Sequence, residues 1–105
     1  MANQPDAWVA LGDPTRKEIF ELLVDRPYAV VDLARQLPVS RPRVSQQLRV
    51  LQDAGLVASE ASGTRRIYRI NPDGLAGLRA DLDRFWETTL SALEGAATTK
   101  REEDE

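Results

Sequence analysis

Apolar positions along the chain fall into two periods. A short first cluster, "DAWVALGD", places Trp8, Val9 and Leu11 on one helical turn that Gly12 ends. Asp13-Pro14 opens a second helix with an acidic cap followed by proline in the first turn, and Ile19, Phe20, Leu22 and Leu23 form its inner face. "DRPY" stops it, because Pro27 cannot continue the hydrogen-bond ladder and disfavours helix at Arg26. A third, short helix over "VVDLARQL" turns Val30, Leu33, Ala34 and Leu37 inward. After the turn "PVS", Ser40 caps a fourth helix, which tolerates Pro42 because the first turn has no intrahelical use for its missing N–H. At about 100° per residue, Val44, Leu48 and Leu51 share the buried side of that helix. Ala54-Gly55 ends it, with glycine suited to a left-handed C-terminal residue.

The period then changes to two. "LVASEAS" and "RRIYRI" predict a β-hairpin around Ser62-Gly63-Thr64, although Ile67 and Ile70 differ in parity and leave the faces of the second strand open. Asn71-Pro72-Asp73 caps a final long helix with a stripe at Leu75, Leu78, Leu82, Phe85, Trp86, Thr89, Leu90 and Leu93. From Gly95 the chain is small and charged, which predicts a folded domain over residues 1–94 and a flexible acidic tail over 95–105. The expected fold is mainly α with a small β-hairpin, α-α-α-α-β-β-α, the order of a winged helix-turn-helix.

Charge changes this picture from architecture to chemistry. The 105 residues hold 14 Lys+Arg against 17 Asp+Glu, net −3, but the charges are segregated. Residues 1–34 carry three basic and six acidic groups, residues 35–69 seven arginines against Asp53 and Glu60, and residues 70–105 four basic and nine acidic groups. A positive centre between acidic ends is the footprint of a local polyanion-binding surface. Twelve of the 14 basic residues are arginine, which a coding bias could produce, but such a bias does not cluster them. The fourth helix carries Ser40, Arg41, Arg43, Ser45, Gln46, Gln47 and Arg49 as candidate DNA contacts. Arginine forms bidentate bonds to the guanine N7/O6 edge and glutamine suits adenine, while the free N–H groups of the first turn suit a phosphate. Arg65 and Arg66 beside the hairpin turn suit a wing on the DNA backbone. An exposed helix that is merely rich in arginine and glutamine is the plainer alternative.

Neither cysteine nor histidine occurs. Disulfides, thiolate or imidazole metal sites and the commonest nucleophile–base pairs are therefore excluded, and no enzyme, metal or cofactor is expected. No run of ~18 apolar residues suits a membrane span and the polar start is not a signal peptide, so a cytoplasmic location is expected. The last helix carries more apolar surface than its own domain needs, which predicts a homodimer seam through Leu82, Phe85, Trp86, Leu90 and Leu93, with Trp8 joining it. Folding back on its own domain is the alternative.

The stretches "LGDPTRKEIFELL", "LPVSRPRVSQQLRVLQDAGLV" and "SGTRRIYRI", spanning about residues 8–94, resemble the ArsR-type winged helix-turn-helix regulators. The resemblance implies a homodimer built from the first and last helices that binds double-stranded DNA at an imperfect inverted repeat and represses transcription. Metal-sensing members carry a Cys-x-Cys pair before the Asp-Leu of the third helix, where this chain has Ala29-Val30-Val31 ahead of Asp32-Leu33. Others place His and Asp ligands on the last helix, which here offers Asp81, Asp83, Glu87 and Glu94 without histidine. The chain is closer to a branch lacking metal ligands, with Gln47 standing where that branch commonly has histidine. A sequence-specific repressor with an unidentified small-molecule or protein inducer is the expected function. A winged-helix module that binds proteins instead of DNA is the competing one.

Overall fold

The computed structural model describes residues 6–104, with side chains through Ala97. Its elements run α1 (Ala7–Leu11), α2 (Pro14–Asp25), β1 (Tyr28–Ala29), α3 (Val30–Gln36), α4 (Arg41–Asp53), β2 (Val57–Ser62), β3 (Arg65–Ile70) and α5 (Pro72–Asp104). Capping side chains set the helix starts. Asp6 accepts from the Trp8 amide at 2.8 Å, Asp13 from Arg16 at 3.0 Å, Ser40 from Arg43 at 3.3 Å and Asn71 from Asp73 at 3.1 Å. Each satisfies an amide that the helix itself leaves unpaired.

The hairpin expected from the sequence belongs to a three-stranded antiparallel sheet in the order β1-β3-β2. The extra strand pairs Tyr28 with Tyr68 and Ala29 with Ile67. Two residues are too few to show a period, so its origin lies in Pro27, which leaves Arg26 extended at φ −166° and ψ 165° and feeds Tyr28 into the sheet. The Arg26 guanidinium lies 4.0 Å above the Tyr28 ring and shields its outer face. In the wing, Ser62 pairs with Arg65, so the turn itself is Gly63-Thr64, with Gly63 at φ 62°. A two-residue hairpin with glycine first is the arrangement whose twist matches the flanking strands. Tyr68 and Ile70 pack against the core, whereas Ile67 lies on the opposite face of β3, which explains the mixed parity.

Ile19, Leu33, Val44, Leu48, Leu51 and Leu56 are the largest wholly buried side chains. They bring α2, α3, α4 and the start of β2 around one centre, and truncating any leucine among them would cost about 2–5 kcal/mol. Among the described residues, α5 joins that core at its beginning, through Leu78. Its attachment is a close one. The Asn71 amide donates to the Leu56 carbonyl at 2.9 Å and Asn71 Nδ2 to the Gly55 carbonyl at 3.0 Å. Gly55 has φ 77°, and a Cβ on Gly74 would come within 2.9 Å of the Gly55 carbonyl carbon. No side chain fits at that crossing.

Beyond the joint α5 departs from expectation: it does not end near Gly95 but continues to Asp104, 33 residues in all. Gly95 stands beside Ala92, Ala96 and Ala97, and the helix preference of these alanines offsets a glycine cost of about 1 kcal/mol. The domain boundary drawn at residue 94 therefore does not coincide with a helix end. Residue 105 and the side chains of residues 98–105 lie outside the described part.

Candidate nucleic-acid interface

The interface is built on α4. Val44, Leu48 and Leu51 anchor its inner side with no exposed surface. Arg41, Arg43, Ser45, Gln46 and Arg49 are exposed on the other side. Among the described residues none of the three arginines on α4 makes an ion pair. Ser40 is also exposed, and its Oγ is engaged as the helix cap.

The wing arginines differ in that each has an internal partner. Arg65 Nη1 lies 3.9 Å from Asp32 Oδ2 on α3, and Arg66 Nη1 donates to Ser59 Oγ at 3.1 Å. Arg69 Nη1 donates to Glu60 Oε1 at 2.9 Å. The two ion pairs are solvent-accessible and of the kind worth about 0–1 kcal/mol, weak enough to exchange for a phosphate. An open groove of about 430 Å³ runs between α4 and the wing, lined by Ser45, Arg49, Gln52 and Asp53 on one side and Ser59, Arg66 and Tyr68 on the other. A smaller cleft of about 180 Å³ brings Arg41, Thr64, Arg65 and Arg66 together over the start of α3. Arg66 borders both. The structure thus joins the two halves of the expected site, helix and wing, into one basic surface.

One residue is misplaced in the expected set. Gln47 does not point outward: it is 6% exposed, and its Oε1 accepts from Arg16 Nη1 at 2.9 Å. At about 100° per residue it lies three steps from Val44, only 60° from the centre of the buried stripe. Its polarity suggested the surface; its angle puts it inside. Sequence reasoning also missed Arg16, because a contact across 31 residues leaves no local trace.

The second expected surface is equally well separated from the core. Leu82, Phe85, Trp86 and Leu93 are 57%, 60%, 63% and 61% exposed, and Leu90 is 40% exposed, so α5 does not fold back on its own domain. Trp8 sits at the base of this stripe, its indole Nε1 donating to Asp81 Oδ2 at 3.1 Å. An apolar groove of about 500 Å³ lined by Trp8, Leu75, Ala76, Leu78 and Leu82 continues the stripe onto α1. Among the described residues no three His, Cys, Asp or Glu side chains cluster as a metal site, and no helix is long and apolar enough to cross a membrane.

Residues 13–59, covering α2 through the first half of the wing, match the bacterial regulatory protein, arsR family. The chain is also 58% identical over 90 residues to the HTH-type transcriptional regulator Rv2034 of Mycobacterium tuberculosis, covering 85% of this chain and 84% of that protein. The chain belongs to the ArsR family. It is an ArsR-family transcriptional regulator of the winged helix-turn-helix class. A crystal structure of a possible transcriptional regulator for arsenical resistance superposes with a TM-score of 0.72 at 44% identity, covering 78% of this chain and 85% of that one. The homodimeric winged helix-turn-helix DNA-binding domain Mb0332 of Mycobacterium bovis, in solution, gives a TM-score of 0.64 at 28% identity, covering 83% and 91%. Within this ArsR-family chain the family match includes the whole of α4 and stops before the wing arginines and α5.

Proposed function

We propose that this ArsR-family regulator acts as a homodimer that binds an inverted-repeat operator and represses transcription. α4 enters the major groove, where Arg43, Gln46 and Arg49 meet base edges and Ser40, Arg41, Ser45 and the first-turn amides meet the sugar-phosphate backbone. Arg65 and Arg66 follow the backbone from the wing. The observation that carries this reading is the set of three exposed α4 arginines that make no ion pair among the described residues, beside a wing whose arginines hold only weak partners. The α5 stripe, continued by Trp8, supplies the seam between the two copies. The homodimeric state of the Mycobacterium bovis domain supports the same assembly. Release from DNA does not proceed through a thiophilic metal, because the chain has no thiolate or imidazole to bind one.

Footprinting of the purified protein on its own upstream DNA, with a solution mass measurement on the same sample, tests the proposal. The expected result is a dimer mass and two protected half-sites with centres about 34 Å, one helical turn, apart. A monomer without a footprint at low salt refutes it. Binding of an acidic protein in place of DNA would instead assign the basic face to a protein partner.

A further inference from the structure

Arg16 does more than α2 requires. Its Nε donates to the Ala10 carbonyl at the end of α1 at 2.7 Å, and its Nη1 donates to Gln47 Oε1 on α4 at 2.9 Å. Gln47 is the one buried polar side chain among the described residues, and none of their buried side-chain polar atoms lacks a partner. The planar guanidinium holds two acceptors from two different helices at a fixed angle, which a lysine cannot do. At the other end of α1, Trp8 Nε1 is bonded to Asp81 on α5. Hydrogen bonds therefore run from α5 through α1 and Arg16 to the inner side of α4.

Apart from Gln47, the buried α4 side chains are apolar, and the hydrogen-bonded joint to α5 lies beyond the helix end, at Gly55 and Leu56. Val44, Leu48 and Leu51 bury well, but contacts between hydrocarbon surfaces are non-directional and tolerate a small rotation of the helix. A hydrogen bond at 2.9 Å does not, because it weakens steeply with angle. Gln47 directly follows Gln46, so any rotation of α4 that moves one moves the other. With side-chain tips about 6 Å from the helix axis, a roll of about 20° displaces them by about 2 Å, enough to spoil bidentate contacts.

We propose that Arg16 is a positioning residue for base reading, setting the roll of α4 against the α1–α5 seam through its bond to Gln47. This rests on the proposal that α4 reads DNA. The contact touches no nucleotide; it fixes where Arg43 and Gln46 stand when they meet one.

The test compares Gln47→Leu, which keeps the volume and removes the acceptor, with Gln47→Glu, which keeps an acceptor for Arg16. Affinities are measured for the footprinted operator and for random duplex of equal length, alongside dimer mass and hydrogen exchange of α4 in the free protein. Gln47→Leu is expected to remain a dimer, to keep its affinity for random duplex, and to lose about tenfold of the operator-to-random ratio, the worth of one good base contact. Gln47→Glu is expected to restore most of that ratio. Gln47→Leu is also expected to speed exchange of the amides over residues 44–51 without changing β2 and β3. An equal loss on both duplexes, or an unchanged ratio, overturns the proposal. Should Gln47→Leu fail to fold, Arg16→Lys replaces it, with the same loss of ratio expected and an unchanged ratio overturning the proposal. A wild-type protein with no sequence preference refutes the proposed function on its own account. The exchange of α4 then still decides whether Arg16 positions it, and unchanged exchange overturns the link.

Discussion

Replacing Gly74 by alanine adds one carbon where α5 crosses the end of α4. That carbon would meet the Gly55 carbonyl group, with its carbon at 2.9 Å, and the Leu56 Cα at 3.1 Å. Carbon–carbon contacts are comfortable at about 3.5–4.0 Å, so the first turn of α5 must retreat by roughly an ångström. The neighbours are backbone atoms and cannot swing aside. Retreat also stretches the two Asn71 bonds to Leu56 and Gly55, now 2.9 and 3.0 Å. Overpacking of this kind costs about 1–3 kcal/mol and each weakened hydrogen bond about 1 kcal/mol, which together give about 3–5 kcal/mol. That is a large fraction of the ~5–15 kcal/mol that holds such a domain together. Thermal unfolding followed by far-ultraviolet circular dichroism, at one fixed protein concentration, should show Gly74→Ala melting at least ~12 °C below wild type. Gly77→Ala is the internal control. It lies on the same helix with no atom within 4 Å of the added carbon, and is expected to stabilise by up to about 1 kcal/mol. A Gly74→Ala protein within about 1 kcal/mol of wild type, or a Gly77→Ala protein damaged as badly, would refute the argument from the crossing.

Three further outcomes are expected. Arg43→Ala and Gln46→Ala should each lose about 1–3 kcal/mol of operator affinity with relaxed preference at one base pair, whereas Arg65→Ala should weaken operator and random duplex alike; binding titrations across salt concentrations separate the two, since losing a phosphate contact flattens the salt slope by about one unit. Trp86→Lys, placing a charge in the exposed α5 stripe, should shift the solution mass from dimer to monomer with little change in helix content, and a mass unchanged at micromolar concentration would move the seam elsewhere. Ser40→Ala removes the acceptor that the Arg43 amide uses and should cost about 0.5–2 kcal/mol in a denaturant titration, against a negligible change for Ser62→Ala.

Much of the helical frame was visible in the residues because its signals are local. A cap and the amide that it satisfies are two or three positions apart, as in Asp13 with Arg16 or Asn71 with Asp73, and the buried stripe of α4 repeats every three or four. What the sequence hid has two causes. Some features join distant segments: the Arg16–Gln47 bond, the crossing of Gly55 and Gly74, and β1, whose two residues acquire meaning only beside β3. Others set composition against geometry. Gln47 is polar yet sits at an inward angle, and Gly95 resembles a helix stop yet lies inside a continuous α5. In the candidate site, the exposure of Arg43, Gln46 and Arg49 followed from helical angles, while the pairing of Arg65 with Asp32 could not, because it depends on where the wing lands on α3.

The fixed joint at Gly55, Asn71 and Gly74 has a mechanical consequence for the proposed dimer. α5 is about 50 Å long at about 1.5 Å per residue, and it is bolted to the end of α4 by backbone contacts that leave no slack. Two such arms meeting along their aromatic stripes form a pair of calipers, with the reading helices at the tips. With an arm of about 25 Å, a 10° change of angle at the meeting point swings each tip by about 4 Å, more than the 3.4 Å rise of one base pair. Anything that alters how the arms close, a bound effector or a substitution far along α5, therefore changes which half-site spacing the molecule can span without touching a single DNA-facing residue.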